Sequence, residues 1–259
     1  MEITFLGTGT SQGVPMIAHN NPVLDLTNEK NWRTRSSIHV VMDGFHIQVD
    51  ASPEFRLQCV HNKIEQLDLF ILTHTHSDHI MGMDDLRRFC TLNDNSAIPV
   101  YSNPEHLERV QQIFGYAIRE EPLHIGYPAF SLKEIPETLE LPCGTIQTTQ
   151  LVHGSMKVLG LVFQEKSSGK KFTYYCDCKL VDDQQRALAK GSDIVVLDGL
   201  RYKPHATHLS IPEAIEVAQQ IGAPLNYLTH IAPTVDHKTC EAELPDGVKL
   251  AYDGLKMVL

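Results

Sequence analysis

Directly after the apolar run Leu67–Leu72, the chain reads Thr73-His74-Thr75-His76-Ser77-Asp78-His79. Three imidazoles and a carboxylate crowd one strand end, and packing gives no reason for such a density. His is the commonest metal ligand among side chains. His74 and His76 are two apart, so in extended backbone they face the same way and can reach one ion. Asp78 and His79 come as the chain turns toward the next helix, where they can face a second ion close by. Mixed nitrogen and oxygen donors suit borderline metals such as zinc or manganese.

These residues cannot complete two metal shells by themselves. His153 follows the run Thr148–Val152, Asp177 follows Thr173–Tyr175, and His230 follows Asn226–Leu228. Each is a ligand-type residue at the C-terminal end of a predicted strand, the edge where chemistry collects on α/β sheets.

The rest of the pattern predicts a mixed α/β chain. Ile3–Leu6 reads as a strand, and Ser37–Met42 with His46–Val49 as a hairpin turning at Asp43-Gly44. Leu159–Glu165 and Lys171–Tyr175 read as a second hairpin around Ser167-Ser168-Gly169. Val100-Tyr101, Ile194–Leu197 and Asn226–Leu228 are further strands. Asn103-Pro104 starts one helix, which Gly115 stops. Ser210-Ile211-Pro212-Glu213 is a capping box that starts another, which Gly222 ends. Asp85–Leu92 and Asp182–Lys190 read as helices, and Asp236-His237 as a helix start. Residues 115–142 show no clear period and read as a flap or an insert. Hairpins among the strands favour mixed sheets over purely parallel ones. No linker or repeat divides the chain, so residues 1–259 read as a single domain.

Composition narrows the function. The formal charge of −10 argues against a non-specific nucleic-acid binder, which needs phosphate-neutralising Lys and Arg. No stretch approaches the length of a membrane span, and the acidic start with its short apolar run makes no signal peptide. The six cysteines are scattered rather than arranged as a disulfide framework. A reduced, cytoplasmic compartment is the expectation.

The His74–His79 run, taken with His153, Asp177 and His230, resembles the metallo-β-lactamase superfamily over nearly the whole chain. Four further segments resemble its branch of PhnP-like phosphodiesterases, to which the tRNA 3′-processing endonuclease is more distantly related. They are Phe5–Pro15, Arg33–Ser37, Leu197-Asp198-Gly199-Leu200-Arg201 and Pro204-His205-Ala206-Thr207-His208-Leu209-Ser210. The resemblance implies an αββα sandwich with two mixed sheets and two divalent metal ions, Zn²⁺ or Mn²⁺. It implies that His74, His76 and His153 hold one ion, that Asp78, His79 and His230 hold the other, and that Asp177 bridges them. It further implies that a hydroxide between the metals attacks phosphorus, with Asp78 orienting it as a catalytic residue. His208 would be catalytic too, stabilising phosphoryl oxygens or protonating the leaving alkoxide. The expected substrate is a small phosphodiester, cyclic esters included, with no extended nucleic acid and no membrane as partner. Relatives often dimerise, so a homodimer is an expectation of the same kind.

Alternatives stay open at this point: an RNA-processing endonuclease, a thioester or lactone hydrolase, and a metal binder without catalysis. No Lys- or Arg-rich arm supports the first. The second leaves Pro204–Ser210 unexplained, and the complete ligand set argues against the third.

Several neighbouring residues carry weaker readings. The run Gly7-Thr8-Gly9-Thr10-Ser11-Gln12-Gly13 fails the dinucleotide spacing, because its third glycine would fall at Gln12; it reads as a turn at the sheet edge. Cys176 and Cys178 flank Asp177 along a strand, so their side chains are expected to point away from it. Arg201 and Lys203 could meet substrate anions or form structural ion pairs. His205 reads as structural, and Asp50 as a support behind the ligands. Relatives carry a separate structural zinc held by Cys-rich ligands and a His three past the last site His. Here Ile17–Leu24 has no Cys and Pro233 stands three past His230. No separate structural zinc is expected, since a closed zinc site needs four ligands.

Overall fold

A computed structural model describes residues 1–259. The first half of the chain contributes β1 (Glu2–Gly7), β2 (Ser37–Met42), β3 (Phe45–Val49), β4 (Leu69–Ile71), β5 (Ile98–Ser102) and β6 (Phe130–Glu134). Its helices are α1 (Phe55–Asn62), α2 (Ser77–Ile80), α3 (Arg87–Leu92) and α4 (Pro104–Phe114). The second half adds β7 (Thr138–Leu141), β8 (Gly144–His153), β9 (Met156–Glu165), β10 (Lys171–Tyr175), β11 (Ile194–Asp198), β12 (Leu225–Thr229), β13 (Val248–Leu250) and β14 (Lys256–Val258). Its helices are α5 (Asp183–Ala189), α6 (Ile211–Ile221) and α7 (His237–Glu243).

These strands make two seven-stranded sheets, ordered β14-β1-β2-β3-β4-β5-β6 and β13-β12-β11-β10-β9-β8-β7. Both are mixed, and the αββα sandwich is the observed architecture. In the first sheet β3 to β6 run parallel; in the second β10 to β13 do. Such strands are covered on both faces, which is why β11 is a continuous apolar run, Ile-Val-Val-Leu, with every residue buried. One core lies between the sheets, with Ile38, Val40, Ile47 and Val49 from one and Leu159, Leu161, Phe172 and Val196 from the other. A second core packs α5 and α6 on the second sheet, and a third packs α1, α3 and α4 on the first.

Local chemistry sets the element ends. Asp43 and Gly44 both have positive φ, as a two-residue hairpin turn between β2 and β3 requires. Asp182 and Gln185 bond each other's backbone N–H at 2.9 and 2.8 Å and start α5. In α6 the Glu213 carboxylate accepts from Ser210 N at 2.7 Å.

Residues 115–142 depart from the expectation of a flap or insert. They carry one edge strand of each sheet: β6 pairs with β5, β7 pairs with β8, and the chain crosses between sheets at 135–137. The pattern was hard to read because edge strands keep polar side chains such as Ser131, Lys133 and Glu140 among the apolar ones. The strand predicted over Leu67–Leu72 shortens to β4. The Thr148–Val152 run belongs to the longer β8, and the helix predicted over Asp85–Leu92 begins as a 3₁₀ turn, Met83–Leu86.

Candidate metal centre

The parallel strands point their C-terminal ends toward one edge, and β8 joins them because it is antiparallel to β9, itself antiparallel to β10. Every proposed ligand leaves one of these ends. His74 and His76 follow β4, Asp78 and His79 lie on the short helix α2, His153 ends β8, Asp177 follows β10, and His230 follows β12.

The side chains converge in two groups. The ligating atoms of His74, His76 and His153 lie within 4.8 Å of one another, and so do those of Asp78, His79, Asp177 and His230. His74 Nε2 and His76 Nδ1 are 3.0 Å apart. Asp177 Oδ2 sits between the groups, 3.3 Å from His79 Nε2, 3.3 Å from His230 Nε2 and 3.9 Å from His74 Nε2. One carboxylate oxygen thus faces nitrogens of both.

A metal fits this donor set. Asp78 Oδ2, His79 Nε2 and His230 Nε2 are buried without a hydrogen-bond partner. Leaving such atoms unmatched costs about 1–3 kcal/mol each. Nitrogen and carboxylate oxygen donors converging in this way match a borderline divalent cation.

Supporting contacts fix which nitrogen His79, His74 and His153 present. Asp50 Oδ2 accepts from His79 Nδ1 at 2.7 Å and from the Thr73 hydroxyl at 2.8 Å, while Oδ1 accepts from Thr73 N at 2.8 Å. Thr73 Oγ1 in turn meets His74 Nδ1 at 3.0 Å. One buried carboxylate therefore orients His79 directly and His74 through a hydroxyl. His153 Nδ1 donates to the Thr207 carbonyl at 2.9 Å. In these three imidazoles Nε2 is left for the centre.

The backbone is strained where it builds the site. Asp50, Asp177 and His230 have φ of 60°, 51° and 60°. For residues with a Cβ the left-handed region costs roughly 1–2 kcal/mol, and such residues collect at functional sites.

The left-handed turn at Asp177 also corrects the expectation for its neighbours. Strand alternation ends at Tyr175, so Cys176 does not point away: its Sγ donates to Asp177 Oδ1 at 2.8 Å. Burial pushes the Cys176 thiol well up, which keeps it a donor. The bond occupies Oδ1 and leaves Oδ2 for the centre.

Charge follows the same geometry. Burial opposes a proton on His230, yet Asp177, Asp78 and Asp198 together outweigh it and raise the imidazole to about 9. Burial likewise opposes charge on His79, and Asp78, Asp177 and Asp50 together lift it well above the ordinary range. Asp177 is itself buried, which favours its neutral form, but His230 and His79 hold it well below the usual carboxylate range.

His208 lies across the two groups. Its ring centroid is 4.6 Å from that of His153 and 4.7 Å from that of His230, stacked on the latter at 14°. Its Nδ1 donates to Asp198 Oδ2 at 2.6 Å, and the same oxygen accepts from Cys178 N at 2.9 Å. Sequence reasoning placed Asp198 only in the Leu197–Arg201 segment and assigned it no role at the site; its further signal was a carboxylate ending a wholly apolar strand. The segment before α6 is threaded into place by Leu209 N bonding Cys178 O at 2.7 Å and Leu200 N bonding Leu209 O at 3.0 Å. Half-buried His205 packs beside His208 at 5.2 Å. Arg201 donates to the Lys203 carbonyl at 3.3 Å, and the local ion pair is Lys179–Glu213 instead. Gly9 lies against Arg35 and Ile231, so the glycine-rich start is a turn beside the His230 strand end. Asp236 and His237 start α7 and bond Asn31 and Arg33, away from the centre.

Comparisons with known proteins agree with this architecture. A family model for the beta-lactamase superfamily domain matches residues 46–231. The solved structure of a diphosphatase from the PhnP family is similar over 100% of this chain and 97% of that one, with 30% identity and a TM-score of 0.89. An octanoyltransferase of Porphyromonas gingivalis is 31% identical over the whole chain, which spans only 52% of that protein's length. A ribonuclease Z of Archaeoglobus fulgidus is 24% identical, covering 89% of this chain and 87% of that one. Proteins of this fold typically bind divalent metals, and the His and Asp clusters here could hold them. The chain belongs to the beta-lactamase superfamily, and within it to the PhnP-like branch of metallo-β-lactamase-fold hydrolases.

Proposed function

We propose that this protein is a metal-dependent phosphodiesterase that hydrolyses a small phosphate diester. The observation that carries the reading is the placement of His208. Held by Asp198, it lies against both ligand groups, where an acid or a phosphate-oxygen donor is needed. The whole-length likeness to a PhnP-family diphosphatase supports attack at phosphorus over attack at a carbonyl.

In this reading His74, His76 and His153 would hold one divalent ion and Asp78, His79 and His230 a second, with Asp177 available to both. Zinc or manganese would serve. Such ions make water a nucleophile at neutral pH and offset charge on a phosphoryl group. Asp78 also orients the attacking water. With Nδ1 committed to Asp198, His208 Nε2 is free to hydrogen-bond a phosphoryl oxygen or to protonate the departing alkoxide. His205 packs beside His208 in that segment, and Arg201 bonds the Lys203 carbonyl. The two divalent charges offset the site carboxylates, so a net charge of −10 is compatible with a small anionic substrate.

We further read 1–259 as one domain, because β1 and β14 pair while the core between the sheets draws on both halves of the chain. Six free, buried cysteines fit a reducing compartment such as the cytoplasm. No helix is long and apolar enough to cross a membrane.

The test is a substrate panel with defined metals: bis(p-nitrophenyl) phosphate, cyclic nucleotides, a dinucleoside diphosphate, precursor tRNA, a thioester and a lactone. Turnover of the small phosphate esters is the expected result. Turnover of the thioester or lactone alone rejects the reading, and a preference for precursor tRNA replaces it with the endonuclease.

A further inference from the structure

The first sheet buries a polar layer on the side away from the second sheet. Ser37, His39 and Gln48 are buried there, on the strands whose opposite faces carry Ile38, Val40, Ile47 and Val49 into the core. Buried polar side chains under a sheet need a reason.

The contacts supply one. Gln48 Nε2 lies 2.7 Å from Ser37 Oγ, 2.8 Å from the Asp50 carbonyl and 3.2 Å from the Val49 carbonyl. Ser37 Oγ reaches the same two carbonyls at 3.0 and 3.2 Å. His39 Nδ1 donates to Gln48 Oε1 at 3.1 Å, which fixes the way the amide faces. In a strand successive carbonyls point to opposite sides. Here two neighbours converge on one amide because the chain turns left-handed at Asp50, with φ of 60°. Two carbonyls turned together repel unless donors lie between them. Gln48 supplies those donors, at the residue whose carboxylate holds His79 and Thr73.

We propose that Gln48 is a positioning residue for the metal centre. Its amide, seconded by Ser37, holds the strained turn that aims Asp50 at His79 and, through Thr73, at His74. The inference rests on the reading of His79 and His74 as metal ligands.

The experiment compares the full chain with Gln48→Met, Gln48→Glu and Ser37→Ala. Metal release to a competing chelator, the visible spectrum of the Co²⁺-loaded protein and the melting of the metal-free protein are each measured. Outer-shell partners of metal ligands are worth about 10–100-fold in affinity, and Gln48 acts one step further out, so about tenfold weaker retention is expected for Gln48→Met. Gln48→Glu should lose more, because it sets an anionic oxygen against the carbonyls, and Ser37→Ala should lose less. Activity should recover at saturating metal, with an altered Co²⁺ spectrum in the Gln48 variants. If Gln48→Glu does not fold, the other two variants decide. Retention and spectra like those of the parent, with only the melting of the metal-free protein lowered, overturn the inference and leave the metal reading standing. A parent protein that retains no metal overturns both.

Discussion

Asp198 ends β11 fully buried, with both donors on Oδ2 and with Oδ1 lacking any partner. Asp198→Asn therefore has a defined geometry. The amide oxygen takes the Oδ2 position, where His208 Nδ1 and Cys178 N both need an acceptor, and the NH₂ takes the place of Oδ1. His208 keeps its orientation and tautomer but faces a neutral acceptor. A hydrogen bond to a charged group contributes about 1.5–3 kcal/mol net, against about 0.5–1.5 for a neutral one. The midpoints differ by about 1.25 kcal/mol, which corresponds to roughly eightfold in rate. Asp198→Ala removes the acceptor, frees the imidazole to rotate and strands the Cys178 N–H. Its expected loss is that of a misplaced general acid, about 10²–10⁴-fold. The assay is kcat on bis(p-nitrophenyl) phosphate at saturating metal, with metal content by mass spectrometry. Full turnover in Asp198→Ala would falsify the claim that this carboxylate holds His208 for the reaction. An Asn variant as poor as the Ala variant, with metal retained, would show that charge rather than orientation matters. Loss of metal from either would move Asp198 to a role behind His230, whose ring nitrogen lies within 4.8 Å of it.

His208→Ala should spare metal content and cut turnover by about 10²–10⁴-fold; metal loss in that variant would erase the division between ligand and catalyst. Asp177→Asn should release metal and abolish activity, since Asp177 Oδ2 faces both groups, and a variant that keeps two ions by elemental analysis contradicts the shared-ligand reading. The pH dependence of the metal-free protein follows from His230, whose pKa rises from 6.5 to about 9 because Asp177, Asp78 and Asp198 together outweigh burial. A raised folded-state value stabilises the protein fully below about 6.5, and that stability is lost as pH climbs toward 9. The amount is on the order of 3 kcal/mol. Melting of the metal-free protein should fall across that window, and a flat profile there counts against the geometry. Metal-loaded protein should not follow it, because loading displaces the proton.

Strand interiors were readable because they follow local rules. β2 and β3 could be drawn from alternation and the Asp43-Gly44 turn, and β11 from an unbroken apolar run. The starts of α4 and α6 were readable because a proline in the first turn at Pro104 and a capping box at Ser210 are signals confined to about four residues, although the Asn103 side chain pairs with Gln150 instead of capping. The edge strands β6 and β7 were not, since an edge faces solvent on one margin and blurs the period by which strands are recognised. What decides their strand state is pairing with β5 and β8, and no local window contains it.

The site divides along the same line. A ligand at a strand end is legible because position along the chain implies position on a sheet edge. His74 through His79, His153, Asp177 and His230 could thus be gathered before any coordinates. A support is legible only when its partner is known. Asp198 reads as the end of an apolar strand until the backbone between Cys178 and Leu209 carries His208 to within 2.6 Å of it. Gln48 reads as a polar residue in a hairpin until the left-handed turn at Asp50 brings two carbonyls onto its amide. Even the alternation rule failed at Cys176, because the residue that mattered had already left the strand. Chain order thus records which groups can touch a metal, while the residues that aim those groups are chosen by non-local backbone geometry. Testing Asp198 and Gln48 therefore probes the part of the mechanism that inspection of ligands alone would never reach.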